Sequence, residues 1–278
     1  MPVKHLKIIF FGDIMGKIGR QAVAQILPHW QAEYQPDLIM ANVENIAHGK
    51  GVTAKTLSEM KDLGIQVMTS GNHVWRKDNV TNLIDQEGYP LLTPANDPRS
   101  RTGDGTKIIT VKDTKVAIIN LLAYEAMKAY ADNGDEMTIQ SPFEAIDEIL
   151  AEDSVKSSTV KIIDFHSEMT SEARAMGWYV DGRVSAVLGT HTHIPTADAQ
   201  IMPAGTAYIT DVGMVGGYET VLGVKKDIIL DRFIAGKKIV FDIPKSGPAE
   251  INAVYMEIEA STGKPQLFRH LREIVEIK

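Results

Sequence analysis

The sequence contains no cysteine among its 278 residues. This absence excludes disulfide bonds, thiolate nucleophiles, iron–sulfur clusters and zinc sites built on sulfur. Any bound metal ion must therefore be held by histidine, carboxylate or amide side chains, or by water. No apolar run approaches the roughly 20 residues of a membrane-spanning helix. The apolar run near the amino terminus, which Asp13 ends, is too short for a signal peptide, so we expect a cytoplasmic protein with no membrane partner.

An excess of positive charge is also missing, since the formal net charge is -7. This acidic balance disfavours an extended surface for nucleic acid. It still allows a small nucleotide in a metal-lined cleft, where the metal ions would supply the positive charge. Hydrophobic residues make up 44% of the chain, whose length is near the upper limit for one core. We find no repeat, low-complexity tract or linker, and we expect a single domain over residues 1–278.

Strand and helix patterns alternate along the first part of the chain. Predicted strands span residues 6–11, 37–43 and 65–68. Each strand runs into polar side chains: Asp13 after the first, Glu44 and Asn45 after the second, and Asn72 and His73 after the third. Alternation of this kind favours an α/β protein with a mainly parallel sheet. Ligands of such sheets bind beyond the carboxyl ends of the strands, so these polar residues should converge in space.

The remaining patterns complete the assignment of elements. Helices are predicted over residues 19–34, after the N-cap Thr53, over 76–86 and from Pro142 to about 152. Pro28 should kink the first helix or begin a second one. Further strands are predicted at 107–111, 115–120, 161–165, 184–188 and 206–209, the first two as a hairpin. Segments 238–243, 253–258 and 267–277 should form antiparallel strands at the far side of a sandwich.

The stretch from residue 189 to 195 is the most informative motif. It follows the apolar run 184–188, and Gly189 should end that strand. His191 and His193 lie two residues apart, which would place both imidazoles on the same side of an extended backbone. Two imidazoles so placed could reach one metal ion or two adjacent ions. The alternative is a pair of exposed loop histidines with no function.

His166 completes a set of ligand-type residues at strand ends, because it follows the predicted strand 161–165. Each member taken alone has an ordinary explanation, such as a helix cap, a turn or a buried imidazole. Seven such side chains at the ends of five strands are hard to explain as turn chemistry. Carboxylate, amide and imidazole ligands together suit manganese, iron or zinc. A pair of such ions ~3.5–4 Å apart binds a hydroxide and stabilises an in-line displacement at phosphorus, which is the chemistry of phosphoester hydrolysis.

The order of these motifs resembles that of the calcineurin-like metallophosphoesterases. The resemblance is carried by Asp13, residues 71–73, His166 and the pair 191–193. The usual pattern has a histidine two residues after the first aspartate, where this chain has Met15. It also has a Gly-Asp-x-x-Asp second motif, where this chain has Val43, Glu44 and Asn45.

These departures, together with longer segments, resemble the YmdB-type 2′,3′-cyclic-nucleotide 2′-phosphodiesterases of bacteria. The segments are 164–168, 175–179, 181–187 and 210–214, and the similarity extends over nearly the whole chain. The resemblance implies a four-layer α/β/β/α sandwich. It also implies iron or manganese as the metals, and a homo-oligomer.

The resemblance further implies the division of the ligands between two ions. Asp13, Glu44, Asn45 and His193 would hold one ion, and Glu44, Asn72, His166 and His191 would hold the other. Glu44 would then bridge the two ions. His73 would be the catalytic residue, either as a general acid or as a hydrogen-bond donor to the phosphoryl group. A histidine that only orients the ligands is the alternative.

Three functions remain open at this stage. The first is a phosphodiesterase acting on small cyclic nucleotides with a 2′,3′ or 3′,5′ linkage. The second is a phosphomonoesterase or nuclease with the same centre. The third is a metal-binding regulatory scaffold that has no turnover. Two loops also remain open: the glycines of 211–217 serve tight turns or a mobile cleft wall, and segment 124–138 is a lid, an oligomer contact or a surface excursion.

Overall fold

The computed structural model describes residues 4–77, 80–101, 103–124 and 139–278, with only the backbone at Gln86 and Glu87. The first sheet contains β1 (His5–Phe11), β2 (Asp13–Ile14), β3 (Leu38–Asn42), β4 (Val67–Thr69), β11 (Met214–Gly217), β14 (Gly247–Glu259) and β15 (Pro265–Ile277). The second sheet contains β5 (Thr106–Val111), β6 (Thr114–Leu122), β7 (Val160–His166), β8 (Ala186–Thr190), β9 (Gln200–Ile201) and β10 (Ala207–Ile209). A separate hairpin pairs β12 (Thr220–Val221) with β13 (Val224–Lys225).

The helices flank the two sheets. They are α1 (Gly16–Tyr34), α2 (Ala54–Asp62), α3 (Val80–Glu87), α4 (Pro142–Ala151), α5 (Asp153–Lys156), α6 (Thr170–Tyr179) and α7 (Lys226–Ala235), with one 3-10 turn at Val74–Arg76. Thr53 begins α2 as predicted, and its hydroxyl accepts a hydrogen bond from the Thr56 backbone N–H at 3.3 Å. Within the described ranges, no helix combines the length and the apolar character needed to cross a bilayer.

Three apolar cores separate four layers of secondary structure. Alternation along β1 places Ile9 and Phe11 against α1 and α2, and Leu6, Ile8 and Phe10 against the second sheet. A third core lies between the second sheet and the helices α4 and α6. The four-layer α/β/β/α sandwich expected from the resemblance is therefore confirmed.

Parallel pairing brings the carboxyl ends of the strands that precede the candidate ligands to one edge of the sandwich. In the first sheet β1, β3 and β4 run parallel, and in the second sheet β6, β7, β8 and β10 do so. The predicted hairpin of β5 and β6 is also present. The polar residues that follow these strands are therefore gathered at the carboxyl ends, as the strand pattern predicted.

Several local predictions are wrong. Segment 238–243 forms no strand; Val240 is 87% exposed, and Ile243 instead packs on Gly16 and Gly49. Segments 253–258 and 267–277 do form antiparallel strands, within β14 and β15, but β14 pairs with β1 inside the first sheet rather than lying at a far side. The helix expected over 76–86 does not include Lys77, which adopts an extended conformation, and its described part is α3 (Val80–Glu87).

Other expectations fall between these outcomes. Pro28 begins no second helix, since α1 is continuous through it. Neither interpretation describes the whole of 211–217: Gly213 has the positive φ of a tight turn, but Met214–Gly217 is a strand that pairs with β2 and β14. Of segment 124–138, all but Tyr124 lies outside the described residues.

Candidate metal centre

The candidate centre lies where the carboxyl ends of the two sheets meet. The first sheet brings Asp13 on β2, Glu44 and Asn45 after β3, and Asn72 and His73 after β4, and the second brings His166 at the end of β7 and His191 and His193 after β8. Direct contacts link seven of these eight residues. Asn72 is buried beside them, between Gly71 and His73.

Glu44 lies at the middle of the cluster and is completely buried. Its Oε1 accepts a hydrogen bond from Asn45 Nδ2 at 3.0 Å and lies 3.2 Å from His73 Nδ1. Its Oε2 accepts the backbone N–H of His73 at 3.0 Å and lies 3.2 Å from His166 Nε2. Both carboxylate oxygens therefore face other members of the cluster, one on each side.

His166 and His191 form the side of the cluster next to Glu44 Oε2. His166 Nε2 is 2.9 Å from His191 Nδ1, and the two rings meet edge to face at 68°. One ligand atom from each of Glu44, His166 and His191 lies within 4.8 Å of the other two. Three donors at this spacing can hold one metal ion.

Asp13 and His193 form the other side. His193 Nε2 lies 3.9 Å from Asp13 Oδ1 and 3.2 Å from Asn45 Nδ2. Asp13 Oδ2 accepts the backbone N–H of His191 at 3.0 Å. This contact crosses from the first sheet to the second, so it joins the two halves of the centre.

His73 contacts Glu44 and Asn45 rather than facing away. Its Nδ1 lies 2.9 Å from Asn45 Oδ1, and its side chain is 16% exposed. The Oδ1 atom of the neighbouring Asn72 is buried and has no hydrogen-bond partner among the described residues. The His73 ring thus has partners in the cluster, whereas Asn72 Oδ1 accepts no hydrogen bond from a described residue.

Two glycines allow the backbone to approach the centre closely. A Cβ added at Gly71 would lie 2.2 Å from His166 Nε2 and 2.4 Å from Glu44 Oε2. A Cβ at Gly189 would lie 1.7 Å from the carbonyl oxygen of Thr210. Gly189 does not end the strand as predicted, because β8 continues to Thr190 and needs glycine for this close approach.

The prediction of an extended backbone at the two histidines is also wrong. His191 has φ 108° and His193 has φ 68°, so both lie in a turn. The turn directs His191 towards His166 and His193 towards Asn45. The two imidazoles consequently reach opposite sides of Glu44 rather than one shared face.

Burial and mutual repulsion dominate the electrostatics of the cluster. Burial, followed by the charges of Glu44 and Asp211, raises the pKa of Asp13 well above its usual range. Burial also acts to raise the pKa of Glu44, but His166 and His73 hold it well below that range. Burial lowers the pKa of His193 to about 4 and so keeps its imidazole neutral. Neutral imidazole, as in His193, is the form in which histidine binds a metal ion.

The donor set fits a bound transition metal. Two buried oxygens of the cluster, Asp13 Oδ1 and Asn72 Oδ1, accept no hydrogen bond from any described residue. A buried oxygen without a partner destabilises the fold unless a ligand binds to it. Carboxylate, amide and imidazole donors without sulfur match manganese, iron or zinc.

Sequence reasoning missed the residues that hold the histidines in place. Thr190 Oγ1 lies 2.8 Å from His166 Nδ1 and donates to Asp164 Oδ1 at 2.7 Å. Glu168 Oε2 lies 2.8 Å from His191 Nε2, and the Leu222 carbonyl lies 3.1 Å from His193 Nδ1. Of these residues, only Asp164 could have been identified from the sequence, because a charged residue inside an apolar strand is unusual. Burial raises its pKa to about 7.

Comparison with solved structures defines the class of protein. A phosphatase from Mycoplasma pneumoniae superposes with a TM-score of 0.87 at 32% identity, covering 99% of this chain and 95% of that one. A hypothetical protein from Thermus thermophilus gives 0.85 at 32% identity, covering 98% and 100%. Fold and site together define a calcineurin-like metallophosphoesterase, an enzyme class that hydrolyses phosphate esters.

Sequence comparison narrows this class to one family. The model of the YmdB-like proteins matches residues 9–271. The 2′,3′-cyclic-nucleotide 2′-phosphodiesterase of Bacillus subtilis (strain 168) is 39% identical over 259 residues, which cover 93% of this chain and 94% of the relative. The chain belongs to the YmdB-like protein family.

Proposed function

We propose that this enzyme is a dinuclear phosphodiesterase that hydrolyses small cyclic nucleotides, with 2′,3′-cyclic nucleotides as its first substrate class and 3′,5′-cyclic nucleotides as its second. The observation that carries the proposal is the contact of Glu44 with His166 on one side and with Asn45 on the other. The name of the Bacillus subtilis relative supports the substrate class.

In this proposal the ligands fall into two groups around Glu44. Asp13, Asn45 and His193 would hold one ion, and Asn72, His166 and His191 would hold the other. The contacts within each group support this division, because Asn45 meets His193 and His166 meets His191. Iron or manganese would suit the site, and zinc is compatible with it. When bound, such ions polarise a phosphoryl oxygen and lower the pKa of water.

The residues of the chain have separate tasks in the hydrolysis. Water adds to phosphorus, the bond to one ribose oxygen breaks, and the departing oxygen takes up a proton. His73 is positioned beside Glu44 and Asn45 to supply that proton or to donate a hydrogen bond to the phosphoryl group. Its 16% exposure leaves part of the ring accessible to solvent. The carboxylates of Asp13 and Glu44 are buried, so bulk water does not reach them.

The competing functions predict different substrates. A phosphomonoesterase would act on terminal phosphates, and a nuclease would act on oligonucleotides. The net charge of -7 disfavours long RNA as a substrate. A regulatory scaffold would bind metal without turnover. A cytoplasmic location and a homo-oligomer also stay predictions.

A substrate panel tests the proposal directly. Purified protein reconstituted with Mn²⁺ should hydrolyse 2′,3′-cyclic AMP faster than 3′,5′-cyclic AMP, and both faster than adenosine monophosphates or a short RNA oligonucleotide. Glu44→Gln is the control, and it should abolish activity on every substrate. Preferred hydrolysis of monophosphates or RNA would support the second function. Bound metal without turnover of any substrate would support the scaffold.

A further inference from the structure

The three histidines among the proposed metal ligands, His166, His191 and His193, each have one ring nitrogen facing the cluster and one facing away. A histidine can offer a lone pair to a metal only from a nitrogen that carries no proton. The partner of the outward nitrogen therefore decides which nitrogen is the ligand. The three outward partners differ in chemistry and in exposure.

His166 is fixed by a buried hydroxyl. Thr190 Oγ1 donates its proton to Asp164 Oδ1 at 2.7 Å, so it must accept one from His166 Nδ1 at 2.8 Å. Both Thr190 and Asp164 are completely buried. His166 therefore carries its proton on Nδ1, and Nε2 faces Glu44 and His191 without one.

His193 is fixed by a backbone carbonyl. Its Nδ1 lies 3.1 Å from the oxygen of Leu222, which can only accept a hydrogen bond. The proton is thus on Nδ1, and Nε2 is directed at Asn45 and Asp13. His166 and His193 consequently present the same nitrogen, Nε2, to the cluster.

His191 is arranged the other way round. Its Nδ1 faces His166 at 2.9 Å, and its Nε2 lies 2.8 Å from Glu168 Oε2. A carboxylate accepts a hydrogen bond from Nε2–H, so the neutral His191 imidazole has its lone pair on Nδ1. We propose that Glu168 is the positioning residue that holds His191 in the tautomer with Nδ1 directed at the metal. This inference rests on the proposed metal site.

Exposure distinguishes Glu168 from the other orienting groups. Its side chain is 57% exposed, whereas the side chain of His191 is 7% exposed. It belongs to the short link between β7 and α6 rather than to either element. Because only the Glu168 partner of this pair is exposed, the pair should make a modest contribution to folding stability. Removing Glu168 should therefore change the tautomer and the metal affinity more than the thermal stability.

The required property of Glu168 is an acceptor at the right distance, not its charge. Glu168→Gln keeps an acceptor oxygen of the same reach, whereas Glu168→Ala removes it and Glu168→Asp withdraws it. Glu172→Gln is a matched control on α6, where Glu172 accepts the backbone N–H of Tyr124 at 2.6 Å. It removes the same charge nearby without taking an acceptor from His191 Nε2.

The first test is the ¹⁵N spectrum of the metal-free protein with labelled histidine, and His191→Gln assigns the His191 signals. Wild type, Glu168→Gln and Glu172→Gln should show His191 protonated on Nε2. Glu168→Ala and Glu168→Asp should show a mixture of tautomers. An unchanged tautomer in Glu168→Ala would overturn the proposal. This readout needs no bound metal, so it remains valid if the proposed function fails.

The second test is the affinity for Mn²⁺, measured by competition with a chelator. Glu168→Ala should weaken binding by ~10–100-fold, as loss of an orienting partner does. Glu168→Gln should weaken it much less, and Glu172→Gln should leave it unchanged. Equal losses in Glu168→Gln and Glu168→Ala would show that Glu168 acts through its charge and would overturn the tautomer proposal. Absence of Mn²⁺ binding by the wild type would instead contradict the proposed function.

Discussion

The two sheets bring different chemistry to the same edge. The first sheet supplies oxygen donors from Asp13, Glu44, Asn45 and Asn72. The second supplies the imidazoles of His166, His191 and His193. The closest group of candidate ligands, formed by Glu44, His166 and His191, takes its carboxylate from the first sheet and its imidazoles from the second. The centre therefore depends on how the sheets pack as much as on the residues themselves.

Buried polar contacts join the sheets directly beneath the centre. Asn42 Nδ2 on β3 donates to Asp164 Oδ2 on β7 at 2.9 Å, and Thr69 on β4 contacts the same oxygen. Ser70 and Asn120 exchange hydrogen bonds at 2.9 Å, again from one sheet to the other. These bonds lie at the carboxyl end of an otherwise apolar interface. They fix the two donor sets relative to each other.

The largest effect should come from Glu44, which touches both donor sets. Glu44→Gln keeps the shape of the side chain but removes the charge that would neutralise two cations in the proposed centre. We expect metal content and turnover to fall together to background. Asn45→Ala should lose less, because the amide offers a neutral oxygen to one ion. Elemental analysis and cyclic-nucleotide turnover measure both effects, and the reverse order would show that Glu44 does not bridge.

The second-largest effect should come from substitution of His73. It lies beside the oxygen donors without belonging to either ligand group, so His73→Ala should keep the fold and both metals. Loss of a proton donor should lower turnover of a cyclic nucleotide by ~10²–10⁴-fold. The loss should shrink for nitrophenyl esters, whose leaving group needs no proton. Equal losses for both substrates would exclude the role of general acid.

The Thr190→Val variant tests how the imidazoles of the second sheet are held in place. Thr190→Val removes the hydroxyl between Asp164 and His166, so Mn²⁺ affinity should fall by ~10–100-fold. Two buried groups also lose a partner, which should cost about 1–3 kcal/mol of unfolding free energy.

A matched control separates these two effects. Thr206 is also fully buried, and it donates to the Val184 carbonyl at 2.8 Å, away from the centre. Thr206→Val should lower the free energy of unfolding and leave Mn²⁺ affinity unchanged. If both variants change affinity equally, the effect of Thr190 is one of general stability.

The smallest effect on catalysis should come from α7, which belongs to neither donor set. Phe233 and Ile234 on this helix are 77% and 81% exposed. Phe233→Ser should leave turnover unchanged and stability within about 0.5 kcal/mol of the wild type. If the expected homo-oligomer forms through this face, sedimentation should show smaller particles for Phe233→Ser than for Trp178→Ser on α6. An unchanged assembly in both variants would place the interface elsewhere.

The positions of the donors were predictable from the sequence because strand ends are local signals. An apolar run followed by Asp13, Glu44 or His166 indicates where a chain leaves a sheet, whatever the rest of the fold does. Parallel pairing then gathers such residues at one edge without any knowledge of the strand order. The alternation of strands and helices supplied that pairing.

The orientation of the donors was not predictable in the same way. The positive φ of His191 and the close approach of Gly189 to Thr210 are features of the packed structure that the local sequence does not indicate. Glu168 and Thr190 act through contacts with side chains 23 and 24 residues away along the chain. The strand prediction for segment 238–243 was wrong because a local pattern does not guarantee a pairing partner. Its residues suit a strand, but it pairs with no described strand of either sheet.

A crystal grown with Mn²⁺ and measured at the manganese absorption edge tests the central claim most directly. The anomalous difference map locates the ions without reference to any assumed ligand. Our account predicts two peaks on opposite sides of the Glu44 carboxylate, one near His193 and the other near His166. A single peak held by residues of one sheet, or no peak at the strand ends, would contradict it.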